Sequence, residues 1–155
     1  MNNYYMEFKT SSYFLTILQR ARVARLSTVV DKHHIPHIVP VVFVFDDNYY
    51  YIPIDKKKKK QAPEKLKRVR NIQENPNVAL LIDEYNEDWR ELVFVMIQGK
   101  ANLLKQEKDH DNNNNQQLEK VHKLLYQKYS QYKDIGIGQY CIKIHPQKVI
   151  FWSNK

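Results

Sequence analysis

Residues 38–45 read Ile-Val-Pro-Val-Val-Phe-Val-Phe, an apolar run rich in β-branched side chains that favours an extended strand. Successive side chains of a strand point to opposite faces, so Val39, Val41 and Phe43 share one side and Ile38, Val42 and Val44 the other. An antiparallel strand packed on one face alternates apolar with polar residues, and this one does not. Both of its sides therefore need cover. A barrel supplies the inner cover, and a second subunit supplies the outer one. The run is far shorter than the ~20 residues that cross a bilayer as helix, which predicts a soluble protein.

The neighbouring segments extend this into a mainly β chain. A Thr10, Ser11, Ser12 cluster suits a helix N-cap, and Phe14, Leu15, Ile17 and Leu18 follow at helical spacing up to Arg20. ARVARLSTVV (21–30) predicts the first strand, HIVPVVFVF (37–45) the second and NYYYIPI (48–54) the third. Pro40 and Pro53 each remove a ladder donor and point to edges or a gap in a barrel. Pro63 can open a helix with the stripe Leu66, Val69 and Ile72, which Asn75 and Pro76 stop. NVALLIDEY and ELVFVMIQGKANLL are the fourth and fifth strands, with Gly99 marking a bend or bulge in the latter. Residues 105–117, with four asparagines in a row, predict a loop. A helix over residues 118–129 with Val121, Leu124 and Leu125 inward follows, and then a last strand or strand pair, YCIKIHPQKVIFW.

The totals set bounds on class. A chain of 155 residues with 43% hydrophobic residues and only three glycines fits one globular domain spanning residues 1–155. Its net charge of +8 favours anionic partners. Cys141 cannot form an internal disulfide alone and no secretory pattern opens the chain, which predicts a reducing cytoplasm.

In order, the chain shows an R-V-A-R-L-S-T strand (22–28), P-H-x-V-P-V (36–41), N-I-x-x-N-P (71–76), D-x-Y-x-E-D-W (83–89) and a terminal F-W-S (151–153). This pattern resembles the pyridoxamine 5′-phosphate oxidase-like split barrels, most closely the subgroup of F420-dependent oxidoreductases. The resemblance implies a six-stranded antiparallel split β-barrel, a homodimer, and FMN or coenzyme F420 bound noncovalently at the subunit interface. It also implies hydride or electron transfer with a small-molecule substrate. In that chemistry the cofactor reacts while the protein binds and tunes it, so no catalytic side chain is singled out.

Cofactor contacts are expected from the resemblance along the first strand at Arg22, Arg25, Leu26, Ser27 and Thr28, of which the Arg25 and Ser27 face is preferred. The third strand contributes Ile52, Pro53 and Ile54. Lys57, Lys58 and Lys59, in the run 56–60, and Lys65 beyond it would meet the phosphate. The same lysines beside Tyr49 to Tyr51 allow a nucleic-acid surface as a lesser reading. Trp89 either walls the cofactor ring or packs on a solvated hairpin. His33, His34 and His37 cluster, but Pro36 forbids the helix a zinc-binding histidine pair needs, and no metal site is expected. A flavin carrier without turnover is the other reading of the same barrel.

Overall fold

The computed structural model describes residues 11–30, 35–55, 62–106 and 113–154. Its frame is one antiparallel sheet of strands β1 (Ala24–Val30), β2 (Ile35–Val41), β3 (Val44–Phe45), β4 (Tyr50–Ile54), β5 (Asn77–Glu84), β6 (Val93–Lys105) and β7 (Tyr140–Ser153). Hydrogen-bonded neighbours run β2-β1-β5-β6-β7-β4-β3. Helices α1 (Ser12–Arg20), α2 (Lys67–Glu74), α3 (Asn113–Lys128) and the single turn α4 (Tyr132–Ile135) pack around it. Among the described residues no helix is long and apolar enough to cross a membrane.

The sheet therefore has seven strands among the described residues, not the six expected. The extra one comes from the apolar run itself. β2 pairs with β1 as far as Ala24 opposite Val41, and the chain then leaves that ladder and rejoins the sheet as β3, beside β4 at the opposite edge. The strand expected over 37–45 is thus two edge strands joined by Val42 and Phe43. At this break the Phe43 N–H finds no strand partner and donates instead to the Tyr129 hydroxyl at 3.1 Å. The link spans the two edges of the curled sheet. Its dual apolar character follows from serving both.

Two apolar cores result. The inner one gathers Leu26, Val41, Phe43, Ile52, Leu80, Val95, Ile97 and Ile142 under α1 and α2, joining residues from both sheet edges. The outer one lies between α3 and the other side of β3, β4 and β7, built on Val44, Tyr51, Leu118, Val121, Leu125 and Cys141. Tyr51, absent from solvent contact, donates to Asp46 Oδ2 at 3.0 Å beneath α3. Burial of Cys141 raises its thiol pKa and leaves it a packed side chain.

Several local expectations hold. Ser11 is the N-cap of α1 and accepts from the Phe14 N–H. Gly99 sits at a register shift against β7, where an added Cβ would lie 2.1 Å from the His145 carbonyl oxygen. The Asn-rich stretch differs: Asn113 to Gln117 are the first turns of α3 rather than loop, because Leu118, Val121 and Leu125 are anchored and Asn115 is itself buried against the sheet. The opening at Pro63 is a short 3-10 turn (Pro63–Lys65), and α2 begins after it.

Candidate functional site

The barrel is not closed by hydrogen bonds between β2 and β4. At that seam Pro40, Val41 and Val42 of one edge face Ile52 and Pro53 of the other across a cleft of ≈ 270 Å³, completed by Val23, Asp55, Arg68 and Tyr132. Pro40 and Pro53 lack the N–H groups that would have stitched the edges together. The gap is written into the sequence at those two positions.

A positive cluster borders the cleft. Arg68, in the first turn of α2, is partly buried, and its Nε has no hydrogen-bond partner among the described residues. The same is true of His37 Nδ1 on β2. Burial holds the His37 pKa below its ordinary value, and the nearby charges of Lys67 and Arg68 lower it further, so the ring is kept neutral. Burial also lowers Arg68, partly offset by the Asp55 carboxylate. Asp55 in turn accepts a 2.6 Å hydrogen bond from the Tyr132 hydroxyl. Buried polar atoms without partners are rare and costly. Arg68 lines the cleft and His37 lies close enough to feel its charge, so both nitrogens are donors that an anionic group near this edge can use.

Next to this cluster, Thr28 is buried and accepts from Asn71 Nδ2 at 2.9 Å, which ties β1 to α2. Its own hydroxyl donates to the His37 carbonyl at 3.4 Å. Thr28 and Asn71 therefore fix the spacing between β2 and the basic first turn of α2.

The expected contact residues divide among several places. Ile52 and Pro53 line the cleft, and Ile54 is buried in the same strand. Leu26 is wholly inside the core. Arg25 and Ser27 point to the outer face of the sheet, where Arg25 pairs with Asp83. Lys65 is exposed on the turn before α2, and Lys57, Lys58 and Lys59 lie outside the described residues, as do His33 and His34. Two residues stand apart: Arg22 turns to the end of α3 and donates to the Lys128 carbonyl, and Trp89 is 67% exposed on the β5–β6 link. Arg68, Asp55 and Tyr132 were not singled out by the sequence. Arg68 is one of four basic residues between 65 and 70, and only the packing of α2 shows which one is turned inward. Among the described residues no cluster of His, Cys, Asp and Glu could hold a metal ion.

The outer sheet face is unusually apolar for a solvent surface. Cross-strand neighbours share a face, and one row runs Pro40, Arg25, Leu81, Met96, Ile150. Another pairs Ser27 with Ile38, which is 63% exposed, and Trp152 stacks on Phe94 at 5.7 Å.

Solved structures share this fold. Conserved hypothetical protein Rv2991 from Mycobacterium tuberculosis superposes with a TM-score of 0.70 at 15% identity, covering 94% of this chain and 86% of that one. The heme storage protein HutZ from Vibrio cholerae gives 0.65 at 15% identity, with 91% and 92% covered. A FAD-binding protein from Mesorhizobium loti gives 0.58 at 21%, with 90% of each chain covered. No curated protein matches the sequence. The family model described as pyridoxamine 5′-phosphate oxidase matches residues 13–153. With that match covering nearly the whole chain, the protein belongs to the pyridoxamine 5′-phosphate oxidase family.

Proposed function

We propose that the protein is an oxidoreductase, acting in the cytoplasm on a small molecule, that holds FMN or coenzyme F420 noncovalently where the seam cleft of one chain meets the outer sheet face of a second. The observation that carries this reading is the pair of buried nitrogens, His37 Nδ1 and Arg68 Nε, that have no partner among the described residues, near a cleft lined by Ile52 and Pro53. Arg68 and Lys67 would bind the cofactor's phosphate, since a guanidinium fork matches phosphate oxygens and α2 begins at this point. Asp55, held by Tyr132, favours the charged form of Arg68 against the cost of its burial. Val41, Val42 and the two prolines keep water from that wall.

The cleft of one chain is smaller than the ~300–1,000 Å³ of a typical ligand pocket. This supports a site completed by a second copy, and the apolar row through Leu81 and Met96 offers the surface for it. When bound, a flavin or deazaflavin supplies the hydride or electron transfer, while the residues named here bind, orient and exclude water. The family fold also houses a heme storage protein, so storage or carriage is the second reading.

Titration of the purified chain with FMN and with F420, followed by quenching of cofactor fluorescence, tests the proposal. Saturable binding lost by at least tenfold in Arg68→Gln, with turnover against an acceptor, supports it. Retention of full affinity in Arg68→Gln, or a Soret band with haemin and no affinity for either ring compound, overturns it.

A further inference from the structure

A second and larger cleft, ≈ 410 Å³, opens on the opposite side of the β2–β3 link, between α1, β3 and α3. Its walls are apolar: Leu15 and Leu18 from α1, Val44 and Phe45 from β3, Leu124 from α3. Its polar groups are Gln19, Arg22, Asp47, Gln127 and Lys128. That volume lies within the range of small-molecule sites, as does an apolar lining with a few converging polar groups.

Two cations are fixed in it. Lys128 lies with Nζ 3.7 Å from the centre of the Phe43 ring and donates to the Leu18 carbonyl at 2.7 Å, closing the last turn of α1. Arg22 stacks on the Tyr129 ring at 4.5 Å and donates to the Lys128 carbonyl, closing the last turn of α3. These caps have an ordinary structural use, because helix C-termini attract cations. Among the described residues they consume one N–H of each group, whereas an ammonium has three and a guanidinium five. Neither cation forms an ion pair among the described residues, while Arg20, Arg25, Arg90 and Lys120 all do. Asp47 lies on the lining, so the cleft carries two basic groups against one acidic.

We propose that this cleft is a second ligand site, separate from the cofactor seam, that takes a small amphipathic carboxylate with its apolar body against Leu15, Leu18, Phe45 and Leu124 and its acid group between Arg22 and Lys128. The helix caps hold both cations in place before binding, which lowers the ordering cost of a polar contact. Burial pushes the Lys128 ammonium down to about 7, with the Arg22 charge contributing.

The test is a titration of the full ¹⁵N-labelled chain with sodium decanoate below its micelle-forming concentration, with decylamine and decanol run in parallel. Decanoate is expected to give saturable amide shifts centred on Leu18, Gln19 and residues 124–128. Gln127→Glu places a negative charge at the exposed mouth without touching the core and should weaken binding roughly threefold to tenfold. Asp47→Asn removes the opposing charge at a position with φ of 73°, which asparagine tolerates, and should strengthen binding. Leu124→Trp fills the cleft and should lower affinity at least tenfold while FMN titration of the same variant is unchanged. Shifts centred elsewhere, binding of decylamine or decanol as tight as decanoate, or equal affinity in Gln127→Glu and the parent overturn the proposal. Because flavin affinity is read separately, failure here leaves the seam untouched, and failure of the flavin titration leaves this cleft untouched.

Discussion

The Tyr129 hydroxyl accepts a hydrogen bond from the Phe43 N–H at 3.1 Å and lies 3.0 Å from the Phe43 carbonyl oxygen. One side chain at the end of α3 thus stands in for a strand partner where the chain leaves β2 and has not yet begun β3. It also lies 3.0 Å from the Arg22 carbonyl oxygen, so the same oxygen joins the break to the start of β1.

Tyr129→Phe keeps the ring packing and removes only this hydroxyl. Phe43 is fully buried, so its N–H would be left without a partner at a cost of about 1–3 kcal/mol. Urea unfolding should show a lower midpoint with little change in slope. An unchanged midpoint would mean that water reaches the break.

Most of the fold is legible in the sequence because its elements are set by local pattern. The N-cap at Ser11 and the strands around Leu80 and Ile97 need only periodicity and capping chemistry. The break at Val42 and Phe43 is not legible, since both residues favour strand. What ends the ladder is distant: β1 stops offering partners at Ala24, and Tyr129, 86 residues away, takes the freed N–H. The site divides in the same way. Ile52 and Pro53 follow from the family pattern, whereas Arg68 differs from its basic neighbours only through the way α2 docks on β1 and β6.

The outer sheet face should control association. Ile38, Leu81 and Met96 lie on one face across β2, β1, β5 and β6, and the first two are exposed in the single chain. Ile38→Glu places a charge there without disturbing either core, and a self-complementary interface over this face would bury two copies of it. Sedimentation is expected to show a dimer for the parent and a monomer for the variant, with cofactor affinity falling in parallel. A parent that sediments as a monomer would remove the two-chain site.

His37 gives the seam a pH signature. Its pKa is held low by burial and by Lys67 and Arg68, and a bound phosphate would offset those charges and raise it. Binding then takes up a proton, so affinity should rise as the pH falls from about 8 through the ordinary histidine range. The phosphate titrates near pH ~6 as well, and Asp55 also faces Arg68, so the comparison must be with His37→Gln. The parent should gain more affinity on acidification than the variant. Parallel curves would place the phosphate away from His37.

In the unliganded chain Lys128 gives stability a pH dependence of its own. Its folded pKa of about 7 lies below the ordinary 10.5 because burial disfavours the ammonium. Below the folded value both states carry the proton, and the penalty of a half-buried charge is fully present. Between about 7 and 10.5 the unfolded chain holds more protons than the folded one, so stability from this group rises with pH. Lys128→Met removes the titration but also the bond to Leu18. Arg22, Asp47 and Tyr129 face the same lysine and are retained in both proteins, which cancels their own fields in the comparison. The unfolding free energy of Lys128→Met relative to the parent should therefore be most favourable near pH 6 and decline toward pH 10, with a slope below ~1.4 kcal/mol per pH unit, the limit for one proton. Chemical denaturation across that range measures it. A flat difference would mean that the ammonium is solvated in the folded chain and that the cleft between α1 and α3 is wet to its floor.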